Sequence, residues 1–219
     1  MTTRSIRWLA PLGIALLALA AFGGWAVVTV ADMPDAAVLH HPIALTYTVR
    51  QHGHTLLDDL HGSIEASNGD QVVRAEATKG HDQGQYTATF VPTRSGDWTV
   101  TIRTGFMSNE VTLPTIPVVD QGVTPAALSD AERGRRLFVA KGCVTCHVHG
   151  DVAGSGRVAV GPELTALRFD PDYLRRFLSN PSIKPPLPGT NMQMPNLGLK
   201  PPEIAALTAF INGELRASR

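Results

Sequence analysis

Cys143-Val144-Thr145-Cys146-His147 is the stretch on which the reading of this chain turns. It has the form C-x-x-C-H: two thiols close enough to bond the two vinyl groups of one haem, then an imidazole placed to ligate the iron as proximal base. Three other chemistries use similar residues. A thioredoxin-type redox pair would sit in a βαβ context, which the flanks lack. A zinc site would need a second ligand pair, and His149 alone is insufficient. A chance disulfide is the third. The chain holds only two cysteines, which excludes a disulfide-stapled scaffold and suits one covalently bound haem c.

The flanks predict a small all-α unit over residues 121–219. Ser129-Asp130-Ala131-Glu132 opens a helix with a capping box, Gly134, Leu137 and Phe138 give it a small residue and an apolar face, and it ends near Gly142. After a Gly-rich loop come Gly161-Pro162-Glu163-Leu164, a short helix over residues 170–178 that stops before Pro181, and a last helix from Pro201-Pro202-Glu203. Ile204, Leu207, Phe210 and Ile211 form its apolar stripe. Between these helices lies Asn191-Met192-Gln193-Met194-Pro195, with two candidate thioethers for the distal side of the iron. Residues two apart in an extended segment share a face, so the spacing alone leaves both open as the distal ligand.

From Thr124 to the C-terminus this pattern resembles the class I (mono-haem) cytochrome c family. The matching residues are Gly134 with Phe138, Cys143 to His147, Gly161 to Leu164, Met194 and Phe210, in the family's order. The resemblance implies that Gly134 and Phe138 cross the C-terminal helix near Phe210 and that the Pro162 carbonyl orients His147. It also implies that Met194, in an M-P-x-x element, is the distal ligand, with Met192 as the alternative. The chain departs from the family at Lys200-Pro201-Pro202, where a Ser or Thr cap is usual.

Residues 36–120 read differently. Ile43, Leu45, Tyr47 and Val49 alternate with Ala44, Thr46, Thr48 and Arg50, the period of a half-buried strand. Tyr86, Ala88 and Phe90 alternate likewise, and so do Trp98, Val100 and Ile102 after the turn at residues 92–97, which predicts a hairpin or adjacent strands. With residues 63–66, 72–77, 110–113 and 116–119 this makes about seven strands in about 80 residues, an all-β sandwich of immunoglobulin type. Gly84, Tyr86, Ala88, Phe90, Gly96, Trp98, Val100 and Ile102 resemble the pattern of YtkA-like and FixH-like extracytoplasmic domains, a fold pattern that carries no chemistry. Six of the eight histidines lie here, at 40, 41, 52, 54, 61 and 81. They read as exposed loop histidines; the alternative is a copper or zinc site with His52 and His54 on one strand face. The expected role of this domain is a spacer and docking module, with metal handling or assembly as its alternative.

Residues 9–31 are an uncharged run of 23, long enough as a helix to span roughly 34 Å and so predicted to be a transmembrane anchor within residues 1–35. Arg4 and Arg7 precede it and Asp32 and Asp35 follow, which places the N-terminus in the cytoplasm and the rest outside a single-pass plasma-membrane protein. A secretory signal cleaved after Thr29-Val30-Ala31 is the alternative.

With 19 basic and 19 acidic side chains the chain has no basic stripe for a phosphate backbone, which argues against nucleic acid. The reading is a multidomain membrane-anchored electron carrier, more a non-catalytic carrier or an electron-transfer subunit than an enzyme. Its partners would be redox proteins or membrane respiratory complexes. The alternative is a haem sensor or catalytic cytochrome with an exchangeable distal ligand. Lys141, Arg157 and Lys184 are candidate charges for steering an acidic partner, or simply solvated side chains.

Overall fold

The period-two alternation of residues 43–51 becomes the longest strand of a sandwich, with Ile43, Leu45, Tyr47 and Val49 buried in turn. The computed structural model describes residues 24–154, 156–158, 160–186, 188 and 192–213. Its strands are β1 (Ala26–Val30), β2 (Ala37–Val38), β3 (Ile43–Gln51), β4 (Thr55–Leu56), β5 (Ser63–Asn68), β6 (Gln71–Glu76), β7 (Thr78–Lys79), β8 (Gln85–Phe90), β9 (Gly96–Arg103), β10 (Glu110–Thr112) and β11 (Ile116–Val119). Three helices follow: α1 (Asp130–Ala140), α2 (Pro171–Ser179) and α3 (Pro201–Asn212).

One sheet runs β1-β3-β8-β7 with β4 on β3, and the other β2-β11-β9-β5-β6 with β10 on β9. All pairings are antiparallel except β2 with β11. Trp98 fills the space between the sheets and satisfies its one donor on the Arg94 carbonyl at 2.9 Å, as a buried indole must. β8 and β9 form neither the hairpin nor the adjacent strands expected from their sequences. β8 pairs with β3 and β9 with β5 and β11, so the connection crosses between sheets. Phe90 and Trp98 then meet across the core, ring centres 5.7 Å apart.

The N-terminal expectation also needs correction. Residues 9–31 are not one membrane-crossing helix, because Ala26–Val30 is strand β1, paired with β3 from Ala26–Gln51 to Val30–Tyr47. Residues 9–23 lie outside the described residues, and among the described residues no helix is long and apolar enough to cross a membrane. β1 is buried at every position: Ala26, Val28 and Val30 face the sandwich core, while Val27 packs into the core of the helical domain. Two-sided burial removes the alternation that marks an ordinary strand. The sandwich therefore begins at β1, ahead of the expected boundary at residue 36.

In the helical domain the sequence signals became structure. Ser129 and Glu132 form the capping box of α1, and Asp170 caps α2 by accepting from the Tyr173 N–H at 2.7 Å. At α3 the absent Ser or Thr is replaced from the other side, since the Glu203 carboxylate accepts the Lys200 N–H at 2.8 Å. Helices α1 and α3 cross where Gly134 touches Ala206 and Phe210: a Cβ on Gly134 would lie 2.7 Å from that of Phe210 and collide with the Ala206 carbonyl. Phe138 then stacks at a tilt on Phe210, ring centres 5.6 Å apart.

The two domains meet along β1 and the segment after it. Lys141, at the end of α1, is buried and donates to the carbonyls of Val30 at 2.8 Å and Ala31 at 2.7 Å while pairing with Glu203 at 2.7 Å. Next to it Gly142, at φ 79, lies so close to β1 that a Cβ would come within 2.6 Å of the Val28 carbonyl oxygen. At the exposed rim Asp32 pairs with Lys200 and Asp35 with Arg133. The hydrogen bond from Lys200 holds the Asp32 carboxyl below its ordinary pKa, so that contact persists at neutral pH and is lost as pH falls through the lowered value.

Candidate haem site

The spacing of the two thiols follows from local backbone geometry. After α1 ends, the left-handed Gly142 turns the chain into a 3-10 turn over Cys143–Thr145, closed by the Cys146 N–H on the Cys143 carbonyl at 3.1 Å. In a 3-10 turn residues i and i+3 eclipse, so Cys143 and Cys146 stand side by side with two residues between them. Both are free thiols and both line one cavity. Burial pushes the Cys143 thiol up to about 12 and the Cys146 thiol up to about 11. A dithiol redox pair needs a lowered pKa to supply thiolate, so this environment argues against thioredoxin-type exchange.

His147 follows on the same wall. Its Nδ1 lies 2.9 Å from the Pro162 carbonyl, which only accepts, so Nδ1 carries the proton and Nε2 keeps its lone pair for a metal. Burial lowers the pKa of His147, against the opposing pull of that hydrogen bond, which favours the neutral imidazole a metal requires. The Pro162 loop is stitched under the motif by Gly161 N–H to Cys146 O at 3.2 Å and Leu164 N–H to Val148 O at 2.8 Å. A Cβ on Gly161 would lie 2.7 Å from Nδ1 and 2.9 Å from Nε2 of His147, so only glycine lets the loop approach the ring.

Both methionines line the same cavity. Met194 is half-buried and packs on the apolar core of the helical domain, whereas Met192 is 37% exposed. Phe138, Phe169, Tyr173 and Phe177 add aromatic walls. Two adjacent thiols, an imidazole with a free Nε2, thioethers on the same cavity and an apolar lining fit a haem c, and the Gly161 cradle keeps the imidazole side uncrowded.

Three lining residues come from the β domain, Trp25, Val27 and His52: the sequence placed the first two in a membrane span and offered His52 only as a copper or zinc ligand, not at this cavity. Trp25 meets His52 edge-on, ring centres 5.5 Å apart. His52 and His54 do not share a strand face, because β3 ends at Gln51 and His52 sits in a turn at φ 52. All six histidines of the middle domain are exposed, and among the described residues no group of three or more His, Cys, Asp or Glu can hold a metal ion. Lys141 is corrected as well: it is buried at the domain interface, so it is not available to steer a partner, while Arg157 and Lys184 are exposed. His149, considered above only for zinc, is fully buried, and its Nε2 donates to the Phe210 carbonyl at 3.0 Å, bracing α3.

The arrangement defines a haem-binding helical domain built on a C-x-x-C-H turn. Residues 131–213 match the cytochrome c family, and this part of the chain is a cytochrome c domain. No curated protein matches the chain. Among solved structures it is similar to the Lin-41 filamin domain, with 15% identity over 42% of this chain and 91% of that one, at a TM-score of 0.33. It is similar to surface layer protein SbsC, domains 1-6, with 15% identity over 46% of this chain but only 14% of that chain, also at 0.33. The superoxide reductase (neelaredoxin) from Ignicoccus hospitalis shares 13% identity over 47% of this chain and 86% of that one, at 0.29. Likenesses this distant assign neither a fold nor a function to the middle domain.

Proposed function

We propose that this chain is an exported carrier of single electrons, with one haem c, working between redox proteins or respiratory complexes on the outer face of a membrane. The observation that carries the reading is the single cavity on which Cys143, Cys146, His147 and Met194 converge. Cys143 and Cys146 would form the thioethers, and with no other cysteines in the chain there is one covalent attachment site. His147 would hold the iron through Nε2, with the Pro162 carbonyl fixing its ring. Met194 is the residue that would supply a thioether to the iron, which would raise the potential and leave no coordination position for a substrate. The haem supplies a one-electron Fe(III)/Fe(II) couple. The aromatic and aliphatic walls exclude water around it and limit the reorganisation that each electron transfer requires.

Export is inferred from the apolar segment ahead of β1. Residues 9–24 remain uncharged and lie between Arg4 and Arg7 on one side and the folded domains on the other. As signal or as anchor, this segment places the haem domain outside the cytoplasm, where covalent haem attachment takes place.

The test is carbon monoxide. Reduced holoprotein with Met194 on the iron is expected to show a low-spin spectrum that carbon monoxide leaves unchanged on mixing. Rapid binding would instead favour a sensor or catalytic cytochrome with an exchangeable ligand.

A further inference from the structure

The loop that carries Met194 is held from outside its own domain. The turn between β3 and β4, residues 52–54, reaches across the domain boundary and touches both neighbours of Met194. His54 Nε2 donates to the Gln193 carbonyl at 3.2 Å. Gly53 is buried, at φ 80, and a Cβ there would lie 3.1 Å from the Pro195 ring, so the glycine seats that ring against bare backbone. From the same turn His52 lines the haem cavity together with Trp25. From within the haem domain, Gln193 Nε2 also donates to the Lys184 carbonyl at 2.8 Å.

We propose that the β3–β4 turn is a clamp that positions the methionine loop, so that the β domain governs how readily the Met194 sulfur leaves the iron. The proposal rests on the assignment of Met194 as sixth ligand. His54 acts as a positioning residue: it touches neither the cofactor nor a reacting atom, and works by fixing the backbone one residue before the ligand. The β domain is then a regulator of the haem site rather than a spacer.

The experiment uses the full-length holoprotein and imidazole as probe. The limiting rate of imidazole binding to the oxidised protein at saturating imidazole reports how fast the thioether leaves. In His54→Ala this rate is expected to rise on the order of fivefold, the rate equivalent of one ordinary net hydrogen bond. His54→Gln, whose amide also donates, is expected to restore the wild-type rate. Because His54 is exposed, the urea midpoint of His54→Ala should fall by no more than that one hydrogen bond accounts for, and the absorption spectrum of the resting protein should stay wild-type, which separates positioning from a general loss of structure. Met194→Ala is the control, expected to abolish the sulfur-to-iron charge-transfer band. If that band disappears in Met194→Ala while His54→Ala leaves the imidazole rate unchanged, the clamp is wrong and the ligand assignment stands. If the band survives Met194→Ala, both are overturned.

Discussion

Lys141→Met is expected to destabilise the folded protein by about 3–5 kcal/mol, the usual cost of leaving one member of a buried ion pair without its partner. Methionine replaces the aliphatic stem of the lysine but supplies no donor. Three acceptors then lose it together: the carbonyls of Val30 and Ala31 and the Glu203 carboxylate. Two of them belong to the β domain and one to α3, so the loss falls on the join between domains. Urea unfolding followed by tryptophan fluorescence gives the change, with Trp25 as a reporter near the interface. Lys141→Met with Glu203→Gln should recover part of it, because the uncompensated carboxylate is gone while the two carbonyls still lack a donor. A destabilisation under about 1 kcal/mol would place this contact with ordinary exposed ion pairs.

The second large effect concerns where the mature chain begins. A chain starting at Asp32, as cleavage after Ala31 would leave it, is expected not to fold. It would lose β1, whose three buried valines together contribute ~5–9 kcal/mol of burial, in addition to the hydrogen-bond ladder to β3. A typical domain has only about 5–15 kcal/mol in total. A chain starting at Gly24 keeps the strand and is expected to fold. Circular dichroism of the two chains makes the comparison, and mass spectrometry of the exported protein should then place any natural N-terminus at or before Gly24. A folded, haem-loaded chain beginning at Asp32 would contradict this account of β1.

β1 also shows where sequence reading reaches its limit. Residues 9–31 read as one apolar helix because the run is uncharged and shows no alternation. Yet its two halves differ chemically. Alanine and leucine dominate residues 9–21, whereas Val27, Val28, Thr29 and Val30 are β-branched and stiff at χ1, which favours a strand. That composition was the available signal, and the two-sided burial that hid it became visible only when the second domain was in place. The crossing between β8 and β9 was hidden for a similar reason: a turn sequence fixes a reversal of the chain, not which sheet receives the next strand.

The haem site was legible to the extent that it is local. The turn at C-x-x-C-H, the capping box of α1 and the extent of α2 depend on residues close in sequence, whereas the Pro162 contact with His147, 15 residues apart, followed only from the family resemblance. Lys141 was misjudged because a lysine two residues before the first haem cysteine looks solvated until β1 covers it. The places of Trp25, His52 and Gly53 are not legible in the sequence because they arise only from contacts between domains, Gly53 with Pro195 and Trp25 and His52 at the haem cavity.

The central claim is that Cys143 and Cys146 hold one haem c in a cavity built by both domains. Intact mass under denaturing conditions, on full-length protein produced with a cytochrome c maturation system, tests it most directly. The expected result is a chain heavier by one haem that keeps a c-type pyridine haemochrome spectrum after acid–acetone extraction, while the Cys143→Ser, Cys146→Ser chain carries none. A wild-type chain at its bare polypeptide mass, or one whose haem is extracted by acid–acetone, would contradict it.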